Sequence, residues 1–155
     1  MSTTFTVSTD PIHASPDQVW ALISDLEAVE RYAPSVTTAR YTSEHREGLG
    51  ASRHCAFKPM GTVEERVVGW QEGERLSIEI YENTKIPFTT ALVDFDVTPN
   101  GEGTRVDITM TYTPRFGVIG KAFDRFGIRP QLVRGMKSMA TGIKKTVEAD
   151  LAERA

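Results

Sequence analysis

The chain has 155 residues, of which 39% are hydrophobic and 25% are charged, a composition and length that suit one globular domain. Its formal net charge of -3 argues against a nucleic-acid-binding surface, and its single cysteine, Cys55, excludes an intrachain disulfide and a cysteine-based metal cage. We see neither a signal-peptide pattern nor an apolar run that could span a membrane. We therefore expect one cytoplasmic domain over residues 1–155, without integral membrane association.

The first predicted elements are a strand and two short helices. Residues 4–9 alternate between polar and apolar side chains, which predicts a strand. The sequence Ser15-Pro16-Asp17-Gln18 supplies an N-cap, a proline at the first helical position and a capping-box glutamine. Apolar residues then follow at helical spacing, namely Val19, Trp20, Leu22, Ile23 and Leu26. A second short helix is predicted over 27–32, before Pro34.

Alternation with a period of two then dominates the sequence and predicts six more strands. They lie near residues 36–43, 51–58, 61–70, 75–82, 88–98 and 104–113. The short turns between them, rich in glycine and proline, favour antiparallel hairpins. The last predicted strand has one mostly apolar face, which contains Thr104, Val106, Ile108, Met110 and Tyr112. We expect that face to be covered and the opposite face to contact solvent.

A long helix is predicted after Pro130. Its apolar residues recur every three or four positions, at Leu132, Met136, Met139, Ile143, Val147 and Leu151. The segment 132–151 would be about 30 Å long as a helix, enough to cross a small sheet. The predicted fold is therefore α+β: a curved seven-stranded antiparallel sheet wrapped around the long C-terminal helix, with two short helices after the first strand. Residues 116–129 are predicted to be helical, interrupted by glycines, and to cover a cavity between sheet and helix.

Several local motifs resemble those of a known superfamily. They are Ile12 to Trp20 at the first helix, Gly48-Leu49-Gly50 before a strand, Glu65-Arg66-Val67 within one, and Gly103-Thr104-Arg105-Val106 at the start of the last. Nearly from end to end, the chain resembles the START-like, or helix-grip, superfamily, and specifically its bacterial polyketide cyclase/dehydrase-like branch. The resemblance implies a ligand-holding cavity. Members of this superfamily bind lipids, sterols, polyketides or plant metabolites, and only some are enzymes.

The apolar residues expected to face this cavity are the predicted ligand-binding residues. They are Val67, Ile78, Ile80, Val93, Phe95, Ile108, Met110, Phe123, Met136, Met139 and Ile143. Methionines would let the cavity adapt to varied ligands, although core packing explains methionine at this spacing equally well. We expect no cofactor and no metal, because the histidines at 13, 45 and 54 fall on elements that should not converge.

Polar candidates for catalysis are Glu65 and His54, with Arg53 or Tyr81 as possible helpers. Successive side chains of a strand point to opposite faces, so either Glu64 or Glu65 should point inward, and the strand register decides which. An inward carboxylate needs a partner or a raised pKa, and it could serve as an acid or base, as an inward His54 could. Asp94 and Asp96, in contrast, are predicted to face solvent.

Three functions agree with these observations. The first is the binding of a small hydrophobic or amphipathic molecule, lipid- or polyketide-like, in the cavity. The second is a cofactor-independent polyketide cyclase or dehydratase that uses polar groups inside the cavity. The third is a non-catalytic interaction scaffold, which docks through basic residues of the C-terminal third. Those residues are Lys121, Arg125, Arg129, Arg134, Lys137, Lys144 and Lys145. Whichever applies, we expect a monomer or a homodimer.

Overall fold

Seven strands form one antiparallel sheet in the computed structural model, which describes residues 2–59, 61–86, 88–115 and 127–154. The strands are β1 (Thr3–Ser8), β2 (Val36–Tyr41), β3 (Ser52–Phe57), β4 (Thr62–Gln71), β5 (Arg75–Thr84), β6 (Phe88–Asn100) and β7 (Gly103–Pro114). Their order is β1-β7-β6-β5-β4-β3-β2, so each strand from β2 to β6 pairs with the next in the chain and β7 also pairs with β1. The hairpins predicted from the short turns are therefore confirmed.

Two irregularities in the β4–β5 pair bend the sheet. The register shifts between Glu64 and Glu65 and again between Val67 and Gly69. Each shift inserts one unpaired residue: Tyr81 on β5 in the first case and Val68 on β4 in the second. Bulges of this kind bend a strand and increase its twist, which helps the sheet to curve around a helix.

Two short helices follow β1, as predicted. The first, α1 (Pro16–Ile23), begins with a complete capping box, in which Ser15 accepts from the Gln18 backbone N–H and the Gln18 side chain accepts from the Ser15 N–H. The second begins as a 3₁₀ turn (Leu26–Ala28) and continues as α2 (Val29–Tyr32). The tighter first turn starts at Asp25, whose side chain caps it.

Two glutamates tie these helices to β2. Glu30 accepts hydrogen bonds from the Ala39 backbone N–H, at 2.6 Å, and from Arg40, at 2.8 Å. Glu27 accepts hydrogen bonds from Arg46, at 2.9 Å, and from the Tyr41 backbone N–H of β2. These hydrogen bonds lower the pKa of both carboxyl groups, because they favour the charged form.

The long helix, α3 (Arg129–Arg154), packs its apolar stripe onto the sheet and onto α2. Its central residues Met139, Ile143 and Val147 are buried. The closest approach is at Gly142, where an added Cβ would lie 1.9 Å from the Tyr32 carbonyl oxygen. Within the described ranges, no helix is both long and apolar enough to span a membrane.

Lys144 links α3 to the chain before α1, rather than standing free on the helix surface. Its Nζ donates to the Pro11 carbonyl at 2.8 Å and to Glu148 at 2.7 Å. Glu148 in turn accepts from the His13 backbone N–H, and these hydrogen bonds lower the pKa of its carboxyl group. One of the basic residues proposed for a docking surface is thus engaged within the chain itself.

The prediction that Asp94 faces solvent is wrong. Asp94 lies on the outer face of the sheet, yet it is buried. Neighbouring residues on β5 cover it: the Ser77 hydroxyl donates to one carboxylate oxygen at 2.5 Å, and Arg75 lies 3.2 Å from the other. Asp96, which also contacts Arg75, stays partly exposed. Asp94 is therefore covered by other side chains of the outer face.

Candidate ligand-binding site

A cavity of about 420 Å³ lies between the inner face of the sheet and the N-terminal half of α3. Most of its lining is apolar: Val63, Ile78, Ile80, Phe88, Val93, Phe95 and Met110 from the strands, and Leu132, Met136 and Met139 from α3. Val29, Ala33 and Val36 close it near α2. Its size falls in the range of roughly 300–1,000 Å³ that is typical of small-molecule sites.

Most of the predicted ligand-binding residues lie on this wall. Ile78, Ile80, Val93, Phe95, Met110, Met136 and Met139 line the cavity. Val67, Ile108 and Ile143 do not; they are buried in the packed core instead. The close approach of α3 to α2 at Gly142 fills the space around Ile143, whereas the cavity opens beside the earlier turns of the helix. Phe123 and residues 116–126 of the proposed cover lie outside the described residues. The ligand-binding role of all these residues stays a prediction.

The wall contains one buried ion pair, formed by Arg53 of β3 and Glu65 of β4. The two residues face each other in the strand register, and they are 5% and 6% exposed. Arg53 Nε donates to Glu65 Oε2 at 2.7 Å, and Arg53 Nη2 lies 2.6 Å from the same oxygen. Arg53 Nη1 donates to the Leu26 carbonyl at 2.8 Å. Glu65 therefore points inward, and its partner also links the sheet to the 3₁₀ turn.

Burial and this pair together set the charge states of the surrounding groups. Burial disfavours the charged guanidinium of Arg53, but the electrostatic effects of Glu65, Cys55 and Tyr32 and the hydrogen bond to Glu65 together outweigh it and raise the pKa. Burial raises the pKa of the Cys55 thiol to about 12, and the charge of Glu65 adds to this. Burial also raises the pKa of Tyr32 to about 12. At neutral pH the cavity wall thus presents one neutralised ion pair, a thiol and a nearby phenol, but no thiolate nucleophile.

The other two catalytic candidates lie elsewhere. His54 is on the outer face of the sheet, where its Nδ1 contacts the carboxylate of Glu64. The ring of Tyr81 lies under the guanidinium of Arg66, 4.5 Å from the ring centroid. Neither residue lines the cavity. Of the four polar candidates, the structure brings together only Arg53 and Glu65.

The rim of the cavity contains residues that our sequence analysis did not single out. Lys58 and Pro59 follow β3, Lys85 and Ile86 follow β5, and Gln131 lies in the first turn of α3. They belong to turns or to a helix end, where neither alternation nor helical periodicity indicates which way a side chain points. For the four turn residues, the position next to a strand end was the only available signal.

A second depression, about 510 Å³ in volume, lies on the surface between α1 and the β4–β5 turn. Charged side chains dominate it, including Asp17, Asp25 and Glu72. Glu72 accepts hydrogen bonds from the indole N–H groups of Trp20 and Trp70, so it joins helix to hairpin. This arrangement is explained by packing, and the apolar cavity remains the better candidate for a small-molecule site.

Sequence comparison identifies the family. The profile described as "Polyketide cyclase / dehydrase and lipid transport" matches residues 2–148. The chain belongs to this family. No curated protein matches the sequence significantly. The description of this family covers both polyketide chemistry and lipid transport.

Solved structures share its fold. TTHA0849 from Thermus thermophilus is 21% identical, with a TM-score of 0.77 over 97% of this chain and 99% of that one. Ara h 8.0201 is 10% identical, with a TM-score of 0.75 over 96% and 99%. A START superfamily protein from Mycobacterium smegmatis is 14% identical, with a TM-score of 0.72 over 94% and 98%. These similarities confirm the helix-grip fold.

Proposed function

We propose that the protein binds a small hydrophobic or amphipathic molecule, lipid- or polyketide-like, in the cavity between the sheet and α3. The observation that carries this proposal is a volume of about 420 Å³ with apolar walls and one neutralised ion pair. Removing apolar ligand surface from water stabilises a complex by about 25 cal/mol per Å². The family description, which includes lipid transport, supports the same function.

The size of the cavity distinguishes it from a packing defect. Protein interiors are close-packed and leave few voids larger than a water molecule. Since a water molecule occupies about 30 Å³ in the liquid, a volume of about 420 Å³ equals roughly 14 water molecules. Side chains as large as Phe88 and Phe95 surround this space without filling it. A ligand of roughly ten to twenty non-hydrogen atoms would fit such a volume.

The test is to fill the cavity and measure binding. Val93 lines the cavity, so Val93→Phe should reduce the affinity for the neutral fluorescent probe 1-aminoanthracene by at least about tenfold. Val68→Phe is the matched control, because Val68 is 43% exposed on the outer face. Native mass spectrometry of freshly purified protein should also detect a co-purified small molecule in the wild type. Equal probe binding by wild type and both variants would refute the proposal.

A second candidate, a cofactor-independent cyclase or dehydratase, is supported by Arg53 and Glu65, because both lie in the cavity wall. The Glu65 carboxylate could accept a proton from a carbon between two carbonyls, and Arg53 could stabilise the resulting enolate oxygen. Glu65→Gln should then abolish turnover of a 1,3-dicarbonyl polyketide analogue and leave 1-aminoanthracene binding within about twofold. Unchanged turnover in a folded Glu65→Gln protein would exclude this mechanism.

A further inference from the structure

We propose that the cavity selects anionic amphipathic ligands and holds their acidic group at its mouth, between Lys58 and Lys85, with the apolar body directed inward. This inference rests on the proposed function and adds to it a ligand class and an orientation. Both lysines line the cavity, and both are exposed to solvent. Lys58 follows β3 and Lys85 follows β5, so both lie in turns at the same end of the sheet.

The two turns that contain these lysines are in contact. Gly61, three residues after Lys58, packs so closely on the other turn that an added Cβ would lie 2.7 Å from Ile86 Cδ1 and 2.9 Å from the Thr84 carbonyl oxygen. Lys85 lies between those two residues in the sequence. The rim therefore brings together two lysine-containing turns from segments that are distant in the sequence.

The turn that contains Lys85 is held in an unusual conformation by specific hydrogen bonds. Lys85 has a φ of 60°, in the left-handed region that few residues other than glycine adopt. Asn83 Nδ2 donates to the Phe88 carbonyl at 3.0 Å, Arg115 Nε donates to the Ile86 carbonyl at 3.0 Å, and Arg115 Nη2 donates to Asn83 Oδ1 at 2.8 Å. Such strain persists only where the surroundings impose it. These hydrogen bonds fix the backbone that places Lys85 at the mouth.

The charges of the site favour an anion at the mouth and disfavour one inside. Among the described residues that line the cavity, Glu65 is the only carboxylate, and its Oε2 is paired with Arg53. Within those same residues, neither Lys58 nor Lys85 forms an ion pair. A ligand carboxylate at the inner wall would meet an ion pair that is already neutral and would lose its hydration. The chain as a whole carries a charge of -3, so an anion would be attracted only by positive charges close to the mouth of the cavity.

The experiment compares three linear ligands that contain ten carbon atoms each: decanoate, 1-decanol and decylamine. Each is titrated against 1-aminoanthracene at neutral pH and low salt, with wild type, Lys58→Gln, Lys85→Asn and the double variant. Asparagine is chosen at position 85 because it tolerates positive φ better than most residues. Lys145→Gln, on the exposed side of α3 away from the cavity, is the matched control.

We expect wild type to bind decanoate more tightly than 1-decanol, and decylamine most weakly. Because each lysine is exposed, each single substitution should weaken decanoate binding by roughly two- to fivefold, and the double variant by roughly tenfold. Binding of 1-decanol should not change in any variant, and Lys145→Gln should behave like wild type. High salt should reduce the preference for decanoate.

The possible failures are distinguishable. If the double variant binds decanoate as well as wild type does while all three ligands displace the probe, the orientation inference is wrong and the proposed function stands. If the lysine substitutions weaken 1-decanol as much as decanoate, the lysines support the structure of the rim and the inference is again wrong. If the wild type binds neither the probe nor any of the three ligands, the proposed function fails and this inference fails with it.

Discussion

The buried Arg53–Glu65 pair allows a quantitative test of how the cavity wall is built. Arg53→Met would leave Glu65, which is 6% exposed, without its charged partner, and the Leu26 carbonyl without its donor. Removing one partner of a buried ion pair costs about 3–5 kcal/mol, because the remaining charge stays desolvated. We therefore expect Arg53→Met to lower the free energy of unfolding by about that amount, a large fraction of the roughly 5–15 kcal/mol available to a typical domain.

A neighbouring pair on the other face of the sheet supplies the control. Arg66 contacts Glu79 across β4 and β5 at 2.6 Å, but the two side chains are 50% and 37% exposed. Solvent screens such a pair, so Arg66→Met should cost about 0–1 kcal/mol. The double substitution Arg53→Met, Glu65→Leu removes both buried charges at once, and it should recover most of the stability that the single substitution loses.

Urea unfolding at neutral pH measures these differences, because the midpoint and the slope give the free energy of unfolding for each variant. A double-mutant cycle consists of wild type, Arg53→Met, Glu65→Leu and the double variant. It isolates the coupling free energy between Arg53 and Glu65. Two results would refute the reasoning: a loss below about 1 kcal/mol for Arg53→Met, matching Arg66→Met, or a double variant as unstable as Arg53→Met alone.

Three further predictions concern the packing, thiol chemistry and pH dependence of the fold. Gly142→Ala should destabilise the protein, because the added Cβ would lie 1.9 Å from the Tyr32 backbone oxygen. At Gly135 an added Cβ would have nothing within 4 Å, so Gly135→Ala should stabilise the helix by up to about 1 kcal/mol. Equal shifts in Tm for the two variants would contradict this. Cys55 should resist iodoacetamide at mildly alkaline pH until the protein unfolds, because its pKa is raised to about 12, and labelling of the native protein at the rate of a free cysteine would count against the buried position. Hydrogen bonds lower the pKa of Glu30 from its ordinary value of 4.5. Its contribution to the free energy of unfolding is therefore present above that pH and is lost as the pH falls through the lower value of the folded state. Glu30→Gln should make the free energy of unfolding depend less on pH in this acidic range, and an unchanged dependence would argue against the prediction.

The local elements were predictable because their signals lie within a few residues of one another. The capping box at Ser15 depends only on Ser15, Gln18 and the backbone between them, and it forms as predicted. The alternation in β7 likewise indicated which side chains share a face, and those from Thr104 to Tyr112 are buried. Short turns then left hairpins as the simplest connections, so the sequence also predicted the antiparallel pairing of consecutive strands from β2 to β7, whereas only the structure showed that β1 pairs with β7.

The sequence by itself therefore determined the order of the elements, the covered face of β7 and the stripe of α3 that packs on the sheet. Only the tertiary structure decided which face of β4 is the inner one. Alternation along a strand shows that Glu64 and Glu65 point to opposite faces, but it does not show which of them points inward. The register across β3, β4 and β5 placed Glu65 beside Arg53 and left His54 outside. Tertiary packing also decided which apolar residues surround open space, because α3 meets α2 closely at Gly142 and diverges from the sheet before it.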